Sequence, residues 1–472
     1  MLRTKVVCTL GPSTSSPEVL GDLVRGGLDM ARINLSHGDH EGHATAVARV
    51  RQAADRQGRP LAILADLAGP KIRVGDLPEP LSLAVGAEVR LAGGQEPPSD
   101  AIPVTYAHLA DDLRAGGRVL LDDGHLELEC VGVEGSVARL RVIRGGVLLS
   151  RKGVNLPGVP VRMPSLTDKD LADLEWALAM EAEYIGLSFV RTAADVADLK
   201  ERVDGRALVV AKIEKAQALD DIHAILEVTD AVMVARGDLG VELPFEQVPM
   251  AQKRIVQLAN LYARPVITAT QMLESMIDYP RPTRAEASDV ANAILDGTDA
   301  VMLSGETAVG SFPLEALDAI GRIAGEIERT GVLKRGPRYV WKAGHKVRRG
   351  ASPREHAVAS ATVESVRQLG SPAVIVITRS GSSARLVSSY RPPVPIYAVC
   401  TDRRTYLQLA PVWGIRPVLA EAEVVTYQAL TDFGRRCVVE EGVGAPGQTV
   451  PVTAGYPFHI SGSTNTMRLE QL

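Results

Sequence analysis

Eight short apolar, β-branched runs recur along the first two thirds of the chain, and no other feature limits its fold so sharply. They occupy residues 4–10, 29–35, 61–67, 184–190, 207–213, 230–234, 265–270 and 299–303. Apolar runs of this length, without polar alternation, read as strands covered on both faces, as in a parallel sheet. Between most of them lies a stretch with apolar residues at three-to-four spacing, such as 166–181 or 245–262, which reads as a helix. Eight β-then-α units are the pattern of an α/β fold, the (β/α)8 TIM barrel.

The series is interrupted once, between the third and fourth runs. There the sequence alternates like antiparallel strands at 81–91, 118–131 and 137–147, and Pro and Gly punctuate it. This region is expected to be a small β-barrel domain inserted into a βα loop at the C-terminal face of the barrel, where a lid would sit. Residues 334–350 are basic, Gly-containing and aperiodic, and read as a linker. Beyond them Ser352-Pro353 supplies a cap followed by Pro at the first helical position, and Gly370 stops the helix after Leu369. Strand runs follow at 373–378 and 396–399. The expected domains are a catalytic barrel from 1–69 and 164–335, an inserted β lid from 70–163, and a C-terminal α/β domain from 336–472.

Composition excludes several classes. With 46% hydrophobic and 23% charged residues the chain is ordinary for a globular protein, and a net charge of -5 carries no nucleic-acid footprint. The four cysteines, Cys8, Cys130, Cys400 and Cys437, show neither metal spacing nor a disulfide framework, and Cys8 and Cys400 read as core thiols. Residues 1–5 run straight into a strand, with no signal peptide and no apolar run long enough to span a membrane, so a cytoplasmic protein is expected.

Active sites on such barrels form at the C-terminal ends of the strands. Those ends carry Arg32-Ile33-Asn34-Leu35-Ser36-His37, then Asp66, then Ser188 and Arg191. Lys212 and Glu214 follow, then Asp238, then Thr270, Gln271 and Glu274, and finally Ser304-Gly305-Glu306-Thr307. Lys212 and Glu214 are two apart, so in a strand they point the same way. Glu214 and Asp238 are hard oxygen ligands suited to Mg2+ or Mn2+, and Lys212 can hold a phosphate beside the metal.

At these positions the chain resembles the pyruvate kinases. The motifs that carry the resemblance are Thr4-Lys5-Val6-Val7-Cys8-Thr9-Leu10-Gly11-Pro12, Ala31-Arg32-Ile33-Asn34-Leu35-Ser36-His37-Gly38 and Gly153-Val154-Asn155-Leu156-Pro157-Gly158. Further on come Ala211-Lys212-Ile213-Glu214, Ala235-Arg236-Gly237-Asp238-Leu239-Gly240, residues 269–276, and the long match from Pro280 to Ala308. They span the barrel from end to end, in the family's order, while the last domain matches more loosely. The resemblance implies phosphoryl transfer from phosphoenolpyruvate to ADP, giving pyruvate and ATP in glycolysis. It implies that Glu214 and Asp238 hold Mg2+ or Mn2+, and that Lys212 and Arg32 neutralise the phosphoryl oxygens in transit. Arg73 reaches the same group or the nucleotide from the inserted domain. Ala235, Arg236 and Gly237 present backbone groups to the substrate carboxylate beside Asp238, and Ser188 belongs to the same substrate site. Thr270 lies on the path that delivers a proton to the enolate carbon, through water rather than by direct donation. Asn34, His37, Arg73 and Lys152 are the expected nucleotide contacts. A homotetramer is expected on the same ground.

One departure stands out. The family's monovalent-cation site uses the positions of Asn34, Ser36, Asp66 and the carbonyl of Leu67, and potassium-dependent members carry Glu in Gly-Pro-Glu-Ile-Arg. This chain has Gly69-Pro70-Lys71-Ile72-Arg73. The Lys71 ammonium can stand in for the cation, so activity without K+ is expected; the plainer reading is a solvated loop charge.

In the last domain, Thr378-Arg379-Ser380-Gly381-Ser382-Ser383 follows a strand and opens a helix, a setting that binds phosphate. The family uses this loop for sugar-phosphate effectors, so a regulatory site for a phosphorylated metabolite is expected there. Residues 455–465 align loosely with a second effector loop but lack the Trp-Arg pair of fructose-bisphosphate-regulated members. Asp122-Asp123-Gly124 reads first as a type I′ hairpin turn. Arg151 and Lys152 are placed to meet nucleotide phosphates on lid closure, His40 and His43 to face water, and Met272 and Met276 to fill core or interface. Two rivals remain at this point: a metal-dependent barrel lyase or aldolase acting on pyruvate enolate, and a catalytically silent sensor.

Overall fold

The computed structural model describes residues 2–94, 97–333, 336–337, 339–340, 348–420, 426–456 and 464–472. Much of the expected linker, and of the 455–465 segment with His459, lies outside the described residues. Eight parallel strands close a barrel: β1 (Lys5–Thr9), β2 (Met30–Asn34), β3 (Ala62–Asp66), β4 (Tyr184–Leu187), β5 (Leu208–Ile213), β6 (Ala231–Ala235), β7 (Val266–Ala269) and β8 (Ala300–Leu303). Each pairs with the next in chain order, and β8 returns to β1. All eight apolar runs are thus barrel strands.

The two-residue period of each strand divides its side chains between two cores. Val209, Ala211 and Ile213 of β5 face outward into the cluster shared with the helices. Leu208 and Val210 face the barrel axis with Met30, Leu64, Ala231, Met233 and Met302. The same parity carries Arg32, Asp66 and Lys212 inward at the upper end of β2, β3 and β5, and continues to Glu214 just beyond β5. That register turns an apolar barrel into one with a charged mouth.

Helices start and stop where their caps dictate. The 166–181 stretch forms Asp168–Ala179, opened by a capping box between Thr167 and Asp170. Pro353–Leu369 begins after the Ser352 cap and ends at Gly370, whose φ of 62° is left-handed. The 245–262 stretch is a short 3-10 turn, Phe245–Gln247, followed by the α-helix Val248–Leu261. The fourth run is shorter than expected: β4 ends at Leu187, and Phe189 turns the chain out with φ 55°.

Residues 81–155 form a six-stranded and a two-stranded sheet around a core of Leu91, Val104, Leu109, Leu121, Leu128 and Leu140. The expected strand at 81–91 is two strands, Leu81–Leu83 and Glu88–Gly93, because the chain turns at Gly86 with φ 83°. Asp122 and Asp123 have φ of 51° and 53°, as a type I′ turn requires, and the Gly124 amide closes it onto the Leu121 carbonyl at 3.2 Å. The C-terminal sheet has the order Ile415–Leu419, Ile396–Cys400, Val374–Ile377, Thr449–Gly455, Thr464–Gln471, with only the last pair antiparallel. The domain around this sheet abuts the barrel floor: the Lys5 ammonium donates to the Ile415 carbonyl at 2.8 Å, the Tyr184 hydroxyl to the Gln408 carbonyl, and Arg391 pairs with Asp299. Among the described residues no helix is long and apolar enough to cross a membrane.

Candidate active site

The inward-facing charges at the barrel mouth form one bonded cluster. The Lys212 ammonium lies 3.2 Å from Asp66 Oδ1 and 3.0 Å from Glu214 Oε1, and donates to Ser188 Oγ at 2.7 Å. Arg32 closes the other Asp66 oxygen through Nε at 2.7 Å and braces Thr9 Oγ1 through Nη1 at 3.0 Å. The Ser188 hydroxyl in turn donates a hydrogen bond to the Leu67 carbonyl at 2.7 Å, and the Phe189 amide donates to Glu214 Oε2 at 2.7 Å. Asp66 and Glu214 are each only 1% exposed.

Burial and charge pull against each other here. Burial disfavours the Asp66 anion, but the Lys212 and Arg32 cations overcome it and hold the carboxyl below the usual carboxylate range. Burial also disfavours the Lys212 cation, and the Asp66 and Glu214 carboxylates outweigh it, so the ammonium keeps its proton above the usual lysine range. Glu214 is pushed up by burial and by Asp238, against the pull of Lys212. Two cations, Arg32 and Lys212, face three acids, Asp66, Glu214 and Asp238. Within this group the acids outnumber the cations by one, a balance that a divalent cation would reverse.

Asp238 sits half-buried in the first turn of the helix Arg236–Glu242. It lines a cavity of about 340 Å³ between the barrel mouth and the inserted sheets. His37, Lys71, Arg73, Asp122, Asp123 and Lys152 share that cavity. Arg32, Asp66, Lys212 and Thr270 lie outside its lining. Lys71 is exposed, as the plainer reading of it requires, and forms no ion pair among the described residues. Arg73 Nη1 donates to the Arg151 carbonyl at 3.0 Å, and Lys152 pairs with Asp122 at 2.8 Å. Within the cation-site positions, Asn34 Oδ1 accepts the Ser36 amide at 3.2 Å.

Thr270 follows β7 in a left-handed conformation, φ 66°, which is rare for a β-branched residue. Its hydroxyl accepts the Gly237 amide at 2.8 Å and donates to the Ala269 carbonyl at 2.7 Å. The Arg236 side chain turns away from the cavity toward the Thr270 and Gln271 carbonyls.

Some cavity residues are absent from the sequence reading. Lys215 pairs with the buried Glu242 and lies over the Phe189 ring, 5.5 Å from its centroid. Lys215 and Glu242 both line the cavity; the four-residue step from Asp238 points to Glu242, and the position next to Glu214 to Lys215. His40 is exposed, as expected, and His43 half-buried, but both are also held: the His40 ring stacks on Trp176 at 5.1 Å and bonds Asp173 at 2.8 Å, and the His43 ring bonds the His37 carbonyl.

In the last domain the loop 378–383 opens the helix Ser382–Ser389, whose cap Gly381 has φ 76°. The Thr378 hydroxyl accepts the Gly381 amide at 3.0 Å, the Ser380 and Ser382 hydroxyls are 3.1 Å apart, and Ser383 bonds Thr464.

Comparison with known proteins gives a consistent result. The family model described as "Pyruvate kinase, barrel domain" matches residues 1–317, and "Pyruvate kinase, alpha/beta domain" matches 356–470. A pyruvate kinase of Agrobacterium vitis is 41% identical over 99% of this chain and 98% of its own length. One from Mycobacterium tuberculosis is 42% identical over 100% of this chain and 98% of its own. A solved structure of a pyruvate kinase from Cryptosporidium parvum superposes with a TM-score of 0.92 at 32% identity, covering 100% of this chain and 96% of that one.

Proposed function

This chain belongs to the pyruvate kinase family, the enzymes that carry phosphoenolpyruvate to pyruvate in glycolysis, and from that premise we propose how its residues divide the work. The observation that carries the proposal is the buried cluster Arg32–Asp66–Lys212–Glu214 at the barrel mouth. Phosphoryl transfer needs little covalent help from a protein; it needs cations held rigidly where charge develops.

Lys212 and Arg32 neutralise the phosphoryl oxygens as they pass from phosphoenolpyruvate to ADP. Ser188 and Asp66 fix the Lys212 ammonium, which removes the reorganisation that a free lysine would require. The backbone at Ala235, Arg236 and Gly237 receives the substrate carboxylate. Asn34, His37, Arg73 and Lys152 hold the nucleotide, and Arg73 also reaches the transferring group. The donor set fits a divalent metal: Glu214 is a buried carboxylate pushed toward protonation, and the Asp238 carboxylate accepts no hydrogen bond and forms no ion pair among the described residues. Glu214 and Asp238 would hold Mg2+ or Mn2+, which would supply positive charge to offset the developing enolate. The Thr270 hydroxyl already donates to the Ala269 carbonyl, which supports delivery of the enolate proton from a water ordered at Thr270.

The finer reading extends to regulation and assembly. Activity without K+ is supported by Lys71 in place of the acid of potassium-dependent members, and by chain donors already on Asp66, Asn34 and Leu67. Lys71 reaches the site when the inserted domain, residues 70–163, closes over the barrel of 1–69 and 164–335. The loop Thr378, Arg379, Ser380, Gly381, Ser382 and Ser383 in the regulatory domain of 336–472 binds a phosphorylated effector. The enzyme acts in the cytoplasm as a homotetramer.

The test is ADP-dependent pyruvate formation from phosphoenolpyruvate with Mg2+ in buffer free of K+ and Na+, followed by addition of K+. Full activity before K+ is the expected result. Activity only after K+ would remove the Lys71 reading and leave the kinase; none in either buffer would remove the division of roles.

A further inference from the structure

We propose that the Arg236 side chain is a positioning residue that sets the orientation of Thr270 for the protonation step, an inference that rests on the reading of Thr270 given above. Thr270 and Gln271 are consecutive left-handed residues, with φ of 66° and 52°. Two such residues in a row, one of them β-branched, persist only where the surroundings over-determine them. Their carbonyls turn to the same side, and the guanidinium caps both: Nη2 lies 2.7 Å from the Thr270 oxygen and 2.8 Å from the Gln271 oxygen, and Nε lies 3.2 Å from the Thr270 oxygen. Nη2 thus serves both carbonyls while Nε adds a second contact to Thr270 and Nη1 reaches Asp289, a spread of donors over one rigid plane that a single ammonium cannot reproduce.

The guanidinium is itself fixed from behind. Nη1 bonds Asp289, on the helix Arg284–Asp296 that leads into β8, and lies 3.4 Å from Gln252 Oε1, on the helix Val248–Leu261 that leads into β7. Arg236 side-chain exposure is 9%, so solvent does not compete for these donors. The backbone of Arg236 opens the helix whose next amide, Gly237 N, holds Thr270 Oγ1 at 2.8 Å. Thr270 is therefore gripped twice from one turn of chain: by its carbonyl through the Arg236 side chain, and by its hydroxyl through the neighbouring amide. Loosening the first grip lets the left-handed pair relax toward ordinary backbone angles and swings the hydroxyl away from the mouth.

The experiment compares wild type, Arg236→Lys, Thr270→Ala and the double variant in two assays: steady-state turnover, and exchange of pyruvate methyl protons in D2O, which reads the enolate step alone. Arg236→Lys is expected to lower kcat and the exchange rate together by about a hundredfold, as small misplacements of reacting groups do, with the phosphoenolpyruvate KM little changed. The double variant is expected to lose no more than Thr270→Ala alone, because Arg236 acts through Thr270. A Lys variant at the wild-type rate beside an impaired Thr270→Ala, or additive losses in the double variant, overturns the proposal. So does a Lys variant that fails to fold, which would mark the arginine as structural. Thr270→Ala at full rate in both assays would instead remove the reading of Thr270 itself.

Discussion

The Lys212 ammonium stands between two buried carboxylates and touches Asp66 Oδ1 at 3.2 Å while Arg32 holds the opposite oxygen of the same group. A lysine so placed cannot swing to solvent, and its charge is available only to what enters the mouth. Replacing it with methionine keeps the stem and removes the charge. Lys212→Met is expected to lower phosphoryl transfer by at least about a hundredfold while sparing exchange of the pyruvate methyl protons, which needs no phosphoryl neutralisation. Equal loss in both assays would contradict the role given to Lys212.

Lys71 makes a second, separate prediction, because it is exposed and its replacement removes no contact with another charged group among the described residues. Lys71→Glu restores the acid of potassium-dependent members. The variant is expected to fall by an order of magnitude or more in K+-free buffer, as for loss of one charge from a site of this kind, and to recover when K+ is added. A variant indifferent to K+, at the wild-type rate, would make Lys71 a solvated loop charge.

The barrel is legible in the sequence because its signal is local. Each strand is an uninterrupted apolar run, and parity alone then aims Arg32, Asp66 and Lys212 at the axis. What is not legible depends on contacts between residues far apart in the chain. The Arg236 guanidinium folds back onto carbonyls 34 and 35 residues later, and nothing in the strand-then-helix pattern at 231–242 foretells it. His40 finds Trp176 across more than a hundred residues, so a polar helical spacing alone reads as solvent-facing. The break at Gly86 is missed because a strand pattern of period two continues through a turn when the turn adds an even number of residues.

Glu286 carries a pH prediction. It completes the capping box of the helix Arg284–Asp296, accepting the Thr283 amide at 2.8 Å, and also accepts the Ser275 amide at 2.7 Å. Burial works against its charge, but the Ser275 and Thr283 donors outweigh it and hold the carboxyl below the usual range. A depressed folded value means that the stabilisation is present above the unfolded pKa of about 4.3 and is lost as pH falls through the lower folded value. Glu286→Gln is expected to cost about 1 kcal/mol at pH 7, with the gap to wild type closing below that range. Urea unfolding at pH 7 and at acid pH measures it; a gap that widens in acid would reverse the assignment.

Arg391 and Asp299 join the last domain to the barrel floor through a pair whose side chains are 2% and 5% exposed, with both oxygens bonded at 3.0 Å. The two partners are not equivalent. Asp299 also accepts the Val266 amide at 3.0 Å and the Trp413 amide at 3.2 Å, so it supports β7 and the C-terminal domain together. Arg391 retains other partners if Asp299 is lost: the Gly297 carbonyl at 2.7 Å and the Trp413 ring at 4.8 Å. Arg391→Met leaves Asp299 charged but still holding two amides. Asp299→Ala leaves a buried guanidinium facing a cavity and orphans both amides. Breaking a buried pair costs about 3–5 kcal/mol, and each orphaned amide adds about 1–3 kcal/mol. The aspartate variant is therefore expected to unfold at lower urea than the arginine variant, with both below wild type. If the two variants unfold at the same urea concentration, the pair acts as a simple ion pair and the amide support given by Asp299 is negligible.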